Sequence, residues 1–216
     1  MLARAVFAAS LFAFAAAPAL AVPIDSVGDS FTVEFDGNVA TQDVAGLTAS
    51  ASFLVTEFDA AAGRVVLQIS LGNTSDAALW QSSRVSALGF DVNGDIGTAS
   101  TSGLFQHAIL GGKFPNQFGP VDVCVIDNSN NCSGGGSGGV HIGENGVITL
   151  TLNFAGPISS VDLTNFGVRY QSLSSDELGF EGDSGTGGGE VVPEPRLLGL
   201  LGIAGLALAG TRRRKS

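Results

Sequence analysis

Residues 30–36 read SFTVEFD. Phe31, Val33 and Phe35 alternate with Thr32, Glu34 and Asp36, so every second side chain is apolar. Successive side chains of an extended strand point to opposite faces, and this pattern gives one buried and one solvated side. The signature recurs outward from this stretch. Residues 47–58 form a run of mostly small and β-branched residues. Residues 64–71 place Val65, Leu67, Ile69 and Leu71 in register after a turn at Ala62-Gly63. Residues 85–92 read as a further strand. Residues 147–154 align Ile148, Leu150, Leu152 and Phe154, and residues 166–173 alternate Phe166, Val168 and Tyr170. Asn93-Gly94 is a hairpin signal, and Gly72-Asn73, Gly111-Gly112, Asn145-Gly146 and Gly156-Pro157 punctuate the runs similarly. Residues 76–87 read as a short helix with Ala77, Ala78, Trp80 and Val85 on one side, and residues 100–110 fit neither period. Glycine is 31 of 216 residues, about twice the ordinary share. Short strands with glycine turns predict an all-β fold, an antiparallel β-sandwich that is jelly-roll-like or a related barrel.

The predicted domain spans residues 22–181. An acidic, glycine-rich linker is expected over residues 182–190, and residues 133–139 (SGGGSGG) read as a flexible surface loop. Between residues 22 and 190 the bases are Arg64, Arg84, Lys113 and Arg169, against nineteen acids, a net charge of −15. Such a body repels nucleic acid and anionic lipid, which are bound through Lys and Arg. Cations and cationic surfaces are compatible partners, although solubility alone accounts for the charge.

Both ends carry addressing patterns. The N-terminus has one basic residue, Arg4, an apolar run over residues 5–17, and Ala19-Leu20-Ala21. This is the pattern of a secretory signal peptide, with cleavage expected after Ala21. The C-terminus reads VVPEPRLLGLLGIAGLALAGTRRRKS, residues 191–216. Pro193 and Pro195 hold the backbone extended. Residues 197–210 are all Leu, Ile, Ala or Gly. As a helix they reach about 21 Å, short of a hydrocarbon core of about 30 Å. Arg212, Arg213, Arg214 and Lys215 follow, and each resists translocation.

In this order, Val192-Pro193-Glu194-Pro195, the short apolar helix and the basic cluster resemble the PEP-CTERM sorting signal of exported Gram-negative bacterial proteins. The resemblance implies export across the inner membrane with the C-terminal helix inserted transiently. It implies handling by signal peptidase and an exosortase, and a mature form at the cell surface or outside the cell. It also implies a setting rich in exopolysaccharide or biofilm matrix. The body is similar to the "cistern" group of PEP-CTERM proteins in three stretches: residues 87–92 (ALGFDV), residues 123–128 with 132–135 around the cysteines, and residues 166–172 (FGVRYQS). That group implies no established activity.

Little else points to chemistry, and no enzyme is expected. Cys124 and Cys132 suit a disulfide in an oxidising compartment. With only His107 and His141 beside them they fall short of zinc spacing. Residues 135–139 match G-x-S-x-G, but that mechanism needs a strand-to-helix elbow and the motif sits in a glycine tract. Asp91, Asn93 and Asp95 resemble half of a calcium loop, with Ser102 where the twelfth-position glutamate would stand. A strand ending in solvated aspartates is the preferred account. No cofactor is expected beyond that calcium. A glycan-binding module is the alternative to a structural or interaction role, yet the chain has only one Trp and one Tyr to offer as a sugar platform.

Overall fold

The computed structural model describes residues 21–127, 132–135 and 137–192. Twelve strands make up the described chain, with no helix among the described residues: β1 (Val22–Ile24), β2 (Ser30–Val39), β3 (Gln42–Asp59), β4 (Arg64–Asn73), β5 (Ser82–Val92), β6 (Ile96–Gly103), β7 (His107–Phe114), β8 (Gly119–Ile126), β9 (Val140–His141), β10 (Asn145–Phe154), β11 (Val161–Ser175) and β12 (Phe180–Val192). The expectation of an all-β antiparallel body holds. Its arrangement is one continuous sheet in the order β6-β10-β4-β3-β2-β12-β11-β5-β8-β7, with β1 added to β11 and β9 to β5. Every ladder between these strands is antiparallel. The sheet curls until its edge strands β6 and β7 approach each other, so the molecule is a nearly closed barrel rather than two separate sheets.

The alternation read from sequence is the reason for the curl. Phe31, Val33, Phe35, Phe53, Leu67, Ile69, Leu150 and Val168 all turn inward and are buried in one core. Phe53 of β3 packs on Phe90 of β5 at 5.9 Å and on Phe166 of β11 at 5.5 Å between ring centroids. Those strands are not sheet neighbours, so their rings meet across the barrel.

Four expectations are corrected. First, residues 76–87 form a turn and the start of β5, not a helix. Trp80 is buried because its ring stacks on Phe180 at 5.4 Å and its Nε1–H donates to the Ala45 carbonyl. Second, Asn93-Gly94 does not close a hairpin: β5 lies beside β11 and β8, while β6 lies beside β10, so the turn crosses the barrel. Third, Gly111-Gly112 lies inside β7. Fourth, residues 182–190 are no linker. They belong to β12, which is paired on both sides, with β11 and with β2. Gly185, Gly187 and Gly189 face the core, where a Cβ on Gly187 would meet the Tyr170 ring at 2.9 Å and one on Gly189 the Phe35 ring at 2.7 Å. The missing side chains make room for the neighbours' aromatics. The folded body therefore extends to Val192.

A second, outer layer covers β5 and β11. Phe114, Val121, Cys124, Ile126 and Cys132 form a small buried cluster with Ala87. Phe118 lies over Gly167, and Phe114 over Gly89, where any Cβ would collide with the ring.

Both ends of the described chain leave the same pole. Val22 pairs with Leu163 near the start of β11, and Val192 pairs with Thr32 near the start of β2. Since β11 and β12 run antiparallel, these positions lie level with each other.

Candidate functional site

Three regions bear on function, and the first is the glycine tract. Arg84 projects from β5 and Arg169 from β11, and both are buried. The Arg84 guanidinium donates to the carbonyls of Ser137, Gly138 and Gly135 and to Gln171 Oε1. Arg169 donates to the carbonyls of Ser133 and Gly185 and to Ser184 Oγ. Carbonyl partners without carboxylates leave the charge poorly compensated. Burial lowers the pKa of Arg169 to about 10 and also lowers that of Arg84, where Asp127 partly offsets it. Residues 133–135 and 137–139, read as a flexible loop, are thus clasped from beneath by two arginines. Cys124 and Cys132 form the expected disulfide, which packs against Gly112. The Ser137 carbonyl accepts from Arg84, and no helix follows the tract among the described residues. The arginines carry no motif: Arg169 stands in a β-patterned stretch, and Arg84 in the stretch read as a helix.

The second region is the turn after β5. Asp91 accepts from the Asp122 backbone N–H and from Asn165 Nδ2, and Asp122 accepts from the Val92 N–H. The Asn93 side chain exchanges two hydrogen bonds with Asp162, and its backbone N–H donates to the Asp162 carbonyl. Asp91 and Asn93 thus stitch β5 to β8 and to β11. The Asp95 carbonyl accepts from the Ala155 N–H. Among the described residues no group of three or more His, Cys, Asp or Glu side chains converges as a metal site.

The third region is the outer face of β2, β3, β4, β10 and β6. A shallow groove of about 360 Å³ is lined there by Ser30, Thr32, Ser52, Leu54, Gln68, Ser70 and Val147, over the edges of Phe31 and Phe53. Leu54 is 37% exposed and Val147 51%.

The signal-cleavage residue Ala19 and the sorting residues Pro193, Glu194, Pro195, Arg212, Arg213, Arg214 and Lys215 lie outside the described residues; Ala21 and Val192 border them. No described helix is long and apolar enough to cross a membrane. Comparison with protein-family models, curated proteins and solved structures finds no match.

Proposed function

We propose that the chain is an exported cell-surface or matrix protein, processed by an exosortase and serving a structural or interaction role in an exopolysaccharide setting. The observation that carries this reading is the order of three C-terminal segments: Val192-Pro193-Glu194-Pro195, fourteen Leu, Ile, Ala and Gly residues, and the basic cluster. Each element has its own physical task. The extended proline segment gives a protease something to grip. The apolar segment inserts but spans a bilayer poorly. The bases, at roughly 2.5–3.5 kcal/mol each at mid-membrane, hold the tail on the cytoplasmic side.

Two structural facts support it. β1 begins at Val22, directly after the expected signal-peptidase cut, and β12 is paired as far as Val192, the first residue of the motif. Val22 and Val192, the described residues next to the two expected processing points, lie level at one pole of the sheet. The Cys124–Cys132 bridge suits an oxidising compartment.

Mass spectrometry of the surface or secreted fraction tests this. Peptides are expected up to about Pro195 and none beyond. Recovery of peptides containing Arg212 to Lys215 from that fraction would defeat the sorting reading.

A further inference from the structure

We infer that the outer face of β2, β3, β4, β10 and β6 is a docking surface for an uncharged polysaccharide chain, centred on the groove at Leu54, Gln68 and Val147. The register sets out the face as rows across the strands. Thr32, Ser52, Ser70 and Val147 are consecutive partners from β2 to β10. Ser30, Leu54, Gln68, Thr149 and Ser102 form the next row, from β2 to β6. At about 4.8 Å between strands, five strands span about 20 Å.

Neither row contains a charge. Glu34 and Asp36 stand at one margin, and the Glu57–Arg64 ion pair stands at the other. The body carries nineteen acids and four bases, and these two rows hold none of them. A cation finds no carboxylate there and is drawn elsewhere. An anion is repelled by the surrounding field. A second copy would bring two strongly acidic bodies together with no ion pair between the faces. A neutral polymer of hydroxyls meets none of these penalties.

The groove also fits the two-sided character of a sugar ring, which has apolar C–H faces and a hydroxyl rim. Leu54 and Val147 supply exposed apolar contact, and hydroxyls on Ser30, Thr32, Ser52 and Ser70 surround them. The Gln68 amide can donate twice and accept, and it makes no hydrogen bond within the described residues. The only Trp and the only Tyr are buried, so no stacking platform of that kind raises the affinity for a single sugar. Recognition here is weak per residue and accumulates along a chain, which is why the occupant is a polymer. The choice of a matrix polymer rests on the function proposed above; the charge-free groove does not.

The test is native electrophoresis of the full-length chain in neutral detergent, through gels containing dextran or hydroxyethylcellulose, with alginate as the anionic comparison. At least one neutral polymer is expected to slow the wild type threefold or more, and alginate is expected to have no effect. Gln68→Glu and Ser52→Asp are expected to abolish the retardation with unchanged melting midpoints. If either variant melts early, Gln68→Ala provides the same comparison without an added charge. Glu177→Gln, in the β11–β12 turn, is expected to behave as wild type. Absence of retardation in both neutral polymers, equal retardation by alginate, or persistence in the groove variants overturns the proposal. So does sedimentation showing a dimer that Gln68→Glu dissociates. An untrimmed tail on a chain that still binds neutral glucan would defeat the sorting reading alone.

Discussion

Tyr170 is the only tyrosine in the chain, and it is fully buried against Gly187 with no hydrogen-bond partner for its hydroxyl among the described residues. Burial, reinforced by the negative charges of Asp36 and Glu34, raises its pKa well above the usual phenol value. The sign follows directly. The unfolded chain gives up this proton near pH 10 and the folded chain only at higher pH, so the stability tied to the neutral phenol is present below pH 10 and is lost as pH rises. Absorbance near 295 nm therefore stays flat through pH 10 and rises only as the fold is lost. A reversible titration near pH 10 in folded protein would show the ring to be exposed. The two buried arginines make a second prediction at this scale. Arg84→Ala removes one guanidinium from four acceptors and is expected to cost about 2–3 kcal/mol in denaturant unfolding, since orphaned polar groups carry most of such losses. Proteolysis at residues 133–139 should accelerate in step. Arg64→Ala, at an exposed ion pair, is expected to cost about 0.5 kcal/mol or less. Neither buried arginine was legible in the sequence. Nothing local marks Arg84, in a stretch read as a helix, or Arg169, in a strand pattern, as buried; their partners come from the glycine tract, Gln171 and β12, distant in sequence or hidden in a linker-like composition.

Among the elements, legibility follows the number of buried faces. β2, β4 and β10 have one wet face and one dry face, and their alternation is plain in SFTVEFD, VVLQISL and VITLTLNF. β5 is buried on both faces because the β7–β8 hairpin and the glycine tract lie over its outer side. Period-two contrast disappears there, and its first residues read as part of a helix. The disulfide belongs to this outer layer, so its loss is an element-scale event. Cys124→Ser with Cys132→Ser is expected to lower stability by about 2–3 kcal/mol, the chain-entropy value for a short loop, while the inner core survives. Far-UV circular dichroism should remain β-type, with a lower midpoint. Gly89→Ala probes the same layer from below. Its Cβ would stand 2.6 Å from Phe114 and 2.9 Å from Val121, so an overpacking cost of about 1–3 kcal/mol is expected.

For the whole molecule, continuity of the sheet depends on β12. It lies between β11 and β2 in the middle of the sheet, yet its sequence, FEGDSGTGGGEVV, has the composition of a linker. The clue in the sequence was periodic glycine, at 185, 187 and 189, rather than periodic hydrophobicity. Removing these residues would unzip the sheet at its centre, expose the rings of Phe35 and Tyr170, and leave two long unpaired edges. A chain spanning residues 22–192 is therefore expected to melt cooperatively with a β-type spectrum. A chain spanning residues 22–181 is expected to show no cooperative transition and to aggregate, because the barrel cannot close without its central strand. Equal melting of the two chains would mean that β12 is dispensable and that the acidic glycine tract is a tether after all. If the shorter chain fails as expected, the C-terminal trimming proposed above would have to leave the paired stretch of β12 in place, since its loss opens the sheet between β11 and β2.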